Sequence, residues 1–223
     1  REITTTGTLL FGPMPDTRQT SGQLFVVSAP SGAGKTTLVQ RAVQLRPGLR
    51  FSVSYTTRPQ RAGETEGRDY FFVSESRFAA MADNGEFLES ATVFGNSYGT
   101  GRAQVESMLA NGDDVLLEID WQGAEQVRKN LPGCVTVFIL PPSLTELERR
   151  LRGRQTDSKE VIARRLDEAR GDMSHWPDFD FSVINDDLDT AVAELCAVLD
   201  GQGHACRTAD PAMQARIDAL LAR

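Results

Sequence analysis

A chain of 223 residues, 40% hydrophobic and 25% charged, is long enough for one α/β domain with insertions and has the composition of a globular protein. No apolar run approaches the roughly 20 residues needed to cross a bilayer, and a formal net charge of −7 argues against non-specific nucleic-acid binding. The three cysteines, Cys134, Cys196 and Cys206, are too scattered for a zinc site or a disulfide framework and point to reduced thiols in the cytoplasm.

Residues 1–22 mix Thr, Gly and Pro without periodicity and lack a continuous apolar segment of the signal-peptide kind, so they read as a loose N-terminal extension. The stretch Leu24-Phe25-Val26-Val27 then predicts a strand, and Ser28-Ala29-Pro30-Ser31-Gly32-Ala33-Gly34-Lys35-Thr36-Thr37 follows it directly. Small residues here let successive backbone N–H groups turn toward an anionic oxygen. Lys35 adds a mobile positive charge, and the Thr36 hydroxyl suits Mg²⁺. Leu38, Ala42, Val43 and Leu45 recur at helical spacing, placing this cradle between a strand and a helix N-terminus. Ala29 stands where such loops usually carry their first glycine; a small residue is tolerated there if its φ is negative.

From Phe51 to about Arg102 the alternation of strand and helix breaks. Phe51-Ser52-Val53-Ser54-Tyr55 and Tyr70-Phe71-Phe72-Val73, separated by a polar turn region, predict a small mixed β insertion. Asp114–Asp120, Val135–Leu140 and Phe181–Asn185 are short apolar runs between helical segments, as in a buried parallel sheet. Ser143 and Glu146 form a capping box ahead of Leu144, Leu147 and Leu151, and Asp187 or Asp189 starts a helix through Ala191, Leu195 and Val198. Asp210-Pro211 opens a last helix whose Met213, Ile217, Leu220 and Leu221 form an apolar stripe, open to intramolecular packing or to a homo-oligomer contact. Between Arg150 and about Arg170, arginine alternates with acid behind Arg152-Gly153-Arg154, which reads as a mobile charged lid. In an acidic chain, the arginines at Arg58, Arg61 and Arg68 and at Arg149, Arg150, Arg152 and Arg154 mark two segments expected to bind a small anion.

The phosphate cradle is followed in order by Ser54-Tyr55-Thr56-Thr57-Arg58 with Arg61, Gly67-Arg68-Asp69-Tyr70-Phe71-Phe72, Phe94-Gly95-Asn96-Ser97-Tyr98-Gly99-Thr100, Ile119-Asp120-Trp121-Gln122-Gly123 and Asn185-Asp186-Asp187. This series, from about Gly22 to about Leu199, strongly resembles guanylate kinases. The resemblance implies an α/β fold: a parallel-sheet P-loop kinase core with an inserted mixed-β nucleoside-monophosphate-binding domain and a helical lid. It divides the chain into the extension 1–22, core 23–51, GMP-binding insertion 52–102, core 103–142, lid region 143–170, core 171–207 and C-terminal helix 208–223. It also implies transfer of the ATP γ-phosphoryl group to GMP or dGMP, giving ADP and GDP, with Mg²⁺.

Carried over residue by residue, the resemblance assigns the acceptor phosphate to Arg58, Arg61, Tyr70 and Tyr98, and guanine to Ser54, Glu89, Thr100 and Asp120. The donor phosphates fall to Ser31, Gly32, Ala33, Gly34, Lys35, Thr36 and Thr37, with Arg150, Arg154 and Arg165 from the lid side and Asn185 near the adenine. Departures from the family pattern are Glu118, where aspartate is common, Gln155 for glycine and Ser97 for an aromatic residue. The longer Glu118 side chain is therefore expected to meet Mg²⁺ only through the water around it.

The chemistry supports these assignments independently. Guanine presents N1–H and its exocyclic amine as adjacent donors that one carboxylate, Glu89, can accept together, whereas adenine presents an acceptor at N1. Arginine forks bind two phosphate oxygens and do not lose their charge. The acceptor oxygen is already anionic, so no general base is needed, and catalysis reduces to quenching repulsion between two polyanions while excluding water. Two rival readings are a catalytically silent scaffolding module of the same fold and a sugar-phosphate kinase with the same loop. Lys35 and Thr36 oppose the first, and the set Ser54, Glu89 and Thr100 opposes the second. Trp121 and His175 are read as packing residues.

Overall fold

The structure, a computed structural model, describes residues 21–93, 95–152 and 159–222. A central sheet of five parallel strands contains β1 (Leu24–Ser28), β2 (Leu49–Phe51), β7 (Asp114–Glu118), β8 (Val135–Leu140) and β9 (Phe181–Ile184), in the order β2-β7-β1-β8-β9. Strand side chains alternate between faces, which explains why these runs are apolar throughout. Leu24 and Val26 of β1 enter one core, while Phe25 and Val27 enter the other. The second core is closed by α1 (Lys35–Leu45) and α7 (Leu188–Leu199), through Leu38, Val39 and Ala42 facing Ala191, Leu195 and Val198.

The opposite face is covered by α4 (Trp121–Asn130), α5 (Leu144–Arg152), α6 (Lys159–Met173) and α8 (Pro211–Leu221). Met213, Ile217 and Leu220 of α8 are buried in this core, so the stripe expected on the last helix packs within the chain. The Asp210 carboxylate caps that helix at the Ala212 and Met213 N–H groups. Asp187, not Asp189, caps α7; Ser143 Oγ accepts the Glu146 N–H at 3.0 Å as expected, but the Glu146 carboxylate, expected to close a capping box, accepts from Arg149 and Arg150. Among the described residues no helix is long and apolar enough to cross a membrane. The cysteines are free thiols, with Cys206 in the core.

The second sheet holds β3 (Tyr55–Thr56), β4 (Phe71–Phe72), β5 (Phe87–Val93) and β6 (Asn96–Gly101) in the order β4-β3-β6-β5. Its β3–β4 pair is parallel, and β3–β6 and β5–β6 are antiparallel, which makes it the mixed insertion read from the pattern. Two details differ from that reading. The run Phe51–Tyr55 is split, because Phe51 pairs with Leu116 at the edge of the central sheet while Tyr55 pairs with Gly99 in the second sheet. A three-residue edge strand with one buried position offers no periodicity to detect. The insertion also contains α2 (Glu75–Asp83), capped by Ser74 and buried through Phe78 and Met81, whose spacing of three was the available signal.

Expected strands also stop early where a side chain captures the backbone. Asp120 leaves β7 because its carboxylate accepts the Gly123 N–H at 2.7 Å and starts α4. The carboxyl ends of β1, β7, β8 and β9 thus release Ala29, Ile119, Pro141 and Asn185 on one side of the sheet, where ligands of open parallel sheets bind.

Candidate active site

The loop after β1 is shaped by two glycines. Gly32 and Gly34 have φ of 88° and 94°, a left-handed conformation that side-chain-bearing residues rarely adopt. A β-carbon on Gly34 would stand 2.4 Å from Asn185 Nδ2, and one on Gly32 would stand 2.9 Å from a Leu151 methyl. Ala29 packs against the core shared by α1 and α7. Helix α1 begins at Lys35 with no side-chain cap and no acid in its first turn. Its orphan N–H groups and helix dipole are left for an anion.

This loop is braced from below. Asn185, 5% exposed, donates from Nδ2 to the Ala33 carbonyl at 2.7 Å. Arg150 donates from Nη1 to the same carbonyl at 3.3 Å, from Nη2 to the Asn185 carbonyl at 3.0 Å, and from Nε to Glu146 at 2.7 Å. Arg149, with 74% of its side chain exposed against 24% for Arg150, faces away, so one turn of α5 selects the arginine that meets the loop. The amide of Asn185, expected near the adenine, uses its N–H₂ to hold the loop backbone. Asn185→Ala should therefore cost about 1–3 kcal/mol of stability, from an under-satisfied buried carbonyl, and raise KM for ATP while leaving KM for GMP unchanged; thermal unfolding with steady-state kinetics checks both.

Above the loop, Lys35 Nζ donates to the Ile119 carbonyl at 2.8 Å, and Thr36 Oγ1 donates to Glu118 Oε1 at 2.5 Å. Loss of hydration lowers the Lys35 pKa, opposed by the nearby carboxylates of Glu118, Asp120, Asp172 and Glu89. A hydroxyl and a carboxylate meeting at the carboxyl end of β7 form an oxygen-only donor pair. Among the described residues no cluster of three His, Cys, Asp or Glu side chains could hold a metal. An oxygen donor pair is chemistry that suits Mg²⁺. A cavity of about 480 Å³ opens here, lined by the loop from Ala29 to Thr37 except the buried Ala33, by Asp120 and Trp121, and by Glu168 and Asp172 of α6.

A second cationic centre lies on the inserted sheet. Arg58 is buried, with its guanidinium 5.4 Å from the Tyr70 ring centre and 5.9 Å from that of Phe72. Its Nη2 donates to Glu64 at 2.7 Å and its Nη1 to the Pro59 carbonyl at 2.7 Å. Glu64 also accepts the Arg61 backbone N–H at 2.8 Å; its bond to Arg58 raises the arginine pKa and lowers its own. Glu64 was missed in the sequence, although Arg58, Arg61 and Glu64 recur at intervals of three. Tyr70 and Tyr98 meet edge to face at 6.0 Å, and burial raises the Tyr70 hydroxyl pKa. Ser54 is half-buried, and its carbonyl accepts the Phe71 N–H at 2.9 Å.

Between the two centres lies Glu89. It pairs across β5 and β6 with Thr100, and the strand register shifts just before it, a device that re-aims a side chain. Both residues are buried, Glu89 at 5% exposure, and Thr100 Oγ1 donates to Glu89 Oε1 at 2.6 Å. A β-carbon on Gly123 would stand 2.7 Å from Glu89 Oε2 and 3.3 Å from Asp120 Oδ1, so glycine leaves both carboxylates room at the start of α4. Desolvation pushes the Glu89 carboxyl up to about 7; the Thr100 hydrogen bond opposes the shift and Asp120 adds to it. Arg165 lies half-buried on α6. Arg154 and Gln155 lie outside the described residues, as does Phe94.

A glycine-shaped loop ending at an uncapped helix N-terminus, after the first strand of a parallel sheet with an inserted mixed sheet, defines the class of phosphate-loop kinases. Residues 21–202 match the family model described as guanylate kinase. A guanylate kinase of Alkalilimnicola ehrlichii is 50% identical over 200 residues, covering 90% of this chain and 98% of that protein. One of Methylococcus capsulatus is 54% identical over 183 residues, covering 82% and 90%. The crystal structure of guanylate kinase from Anaplasma phagocytophilum superposes with a TM-score of 0.69 at 34% identity, covering 83% of this chain and 88% of that one. The chain belongs to the guanylate kinase family, and it is an ATP:GMP phosphotransferase yielding ADP and GDP.

Proposed function

We propose that guanine is read at the junction of β5, β6 and α4, with Glu89 accepting N1–H and the exocyclic amine and Thr100, Asp120 and Ser54 completing the pocket. The observation that carries this reading is the buried Glu89 carboxylate, which accepts the Thr100 hydroxyl and has a face left open by Gly123. Arg58, Arg61, Tyr70 and Tyr98 hold the acceptor phosphate. Glu64 and the Tyr70 ring fix the Arg58 fork in advance, so less conformational freedom is lost on binding.

The donor phosphates lie on the loop from Ser31 to Thr37, and Lys35, Arg150 and Arg165 stabilise charge on the transferring group. Arg154 is assigned here by the family resemblance. Thr36 and Glu118 would hold Mg²⁺, the glutamate through water, and the ion would supply further charge neutralisation at the donor phosphates. The division of labour follows the chain: residues 52–102 serve the acceptor, and 143–170 serve the donor from the lid side. Three unpaired thiols support a reducing compartment, the cytoplasm.

A coupled assay with ATP and, in turn, GMP, dGMP, AMP, CMP, UMP and a ribose phosphate tests the substrate assignment. ADP formation with the guanine nucleotides at rates well above the others is expected. Turnover of the sugar phosphate, or none with GMP, would reject it.

A further inference from the structure

Trp121 opens α4 immediately after Asp120, and its side chain touches more than the core. One part of the residue lines the cavity above the phosphate loop. The ring stacks on His175 at 3.5 Å between centroids and 10° between planes, and the indole Nε1–H donates to Asp172 Oδ1 at 3.1 Å. Asp172 sits in the last turn of α6 and lines the same cavity. Desolvation holds its carboxyl above the usual aspartate range, Asp120 adding to the shift and the indole hydrogen bond opposing it. His175 is tied back in turn: its N–H donates to the Asp172 carbonyl at 3.2 Å, and Nδ1 lies 3.3 Å from Asp178. An indole N–H withdrawn from water needs an acceptor; here that acceptor is a carboxylate on α6 that lines the same cavity, so the bond links two elements of the site.

We propose that Trp121 is a positioning residue that joins the acceptor side of the site to its donor side. Asp120 already holds the first turn of α4 through the Gly123 N–H, and the Trp121–Asp172 bond ties that turn to α6, so the residue that meets the acceptor base and the helix that carries Arg165 are held in one fixed relation. Arg165 lies about two turns earlier on the same helix. The inference rests on assigning Asp120 to the acceptor base and Arg165 to the donor phosphates.

Trp121→Phe keeps the ring and its stack on His175 but removes the donor. The expected result is kcat lower by about tenfold, the scale of one hydrogen bond to a charged group, with KM for GMP changed less than about twofold. Asp172→Ala should behave alike, and Asp172→Asn, which retains a carbonyl oxygen for the indole, should recover most of the rate. In the double variant of Trp121→Phe and Asp172→Ala the losses should not add.

Arg165→Ala separates this inference from the assignment beneath it. If Arg165→Ala lowers kcat but Trp121→Phe does not, the link is wrong and the site stands. If Arg165→Ala leaves kcat unchanged, the donor-side assignment fails and takes the link with it. Equal loss in kcat, KM and melting temperature for Trp121→Phe, with no recovery in Asp172→Asn, would reduce Trp121 to packing and overturn the proposal.

Discussion

Lys35→Ala is expected to lower kcat by about a thousandfold or more, the scale on which a positioned charge stabilises a transferring phosphoryl group. Donor and acceptor arrive as polyanions, so the cost of approach is electrostatic, and a cation at the N-terminus of α1 acts where the repulsion is greatest. The ammonium is partly withdrawn from water, which weakens screening and strengthens each Coulomb interaction. Glu118, Asp120, Asp172 and Glu89 offset the desolvation that disfavours its charge. The fold should survive, because the Lys35 ammonium is anchored by a hydrogen bond to the Ile119 carbonyl and lies outside both apolar cores. Single-turnover rates with saturating nucleotides, together with circular dichroism, check the result. A rate within tenfold of the parent would remove Lys35 from the chemistry. Lys35→Arg should not restore it, since a planar fork cannot replace a compact ammonium in a loop shaped by Gly32 and Gly34.

Glu89→Gln has the second large expected effect: kcat/KM for GMP should fall about a hundredfold or more, while KM for ATP stays within about twofold. Glutamine keeps an oxygen for the Thr100 hydroxyl but turns an N–H₂ toward guanine donors. A rate unchanged with GMP would place the base elsewhere; equal losses for both nucleotides would mean that the pocket had collapsed. Because burial pushes the free carboxyl up to about 7, kcat/KM for GMP in the parent should rise as pH increases through that value, and Glu89→Gln should lose this step. Stability moves the other way. A carboxyl pKa raised from 4.5 to about 7 by folding favours the native state fully below pH 4.5, and that contribution is lost as pH rises through 7, for about 3 kcal/mol in all. Glu89→Gln should therefore gain stability relative to the parent across this window, and denaturant titrations at pH 5 and pH 8 measure the crossover.

How much of the site is legible in the chain depends on how local each part is. The phosphate loop is ten successive residues between an apolar strand and a periodic helix, so its small side chains, Lys35 and Thr36 carry its meaning without outside help. Arg58 and Arg61 are likewise local. Glu64 meets the Arg58 fork six residues away and the Arg61 backbone N–H three residues away, and was legible only in principle. Asn185 is different: it lies 152 residues from Ala33, and nothing in its neighbours says that its amide holds a loop carbonyl. Trp121 read as packing because an aromatic beside a capping aspartate looks the same whether or not a distant carboxylate receives its N–H.

The chain by itself determined the α/β alternation, the phosphate cradle and the inserted mixed sheet, because periodicity, capping and backbone freedom act over a few residues, and its ordered motifs carried the resemblance to guanylate kinases. The tertiary structure alone decided that Leu49–Phe51 joins the central sheet, that Arg150 rather than Arg149 meets the loop, and that Glu89 is dry enough to titrate near neutrality. Those outcomes depend on burial and on charges supplied by segments far apart in the chain, and they exist only once the two sheets and α4 and α6 surround the same space.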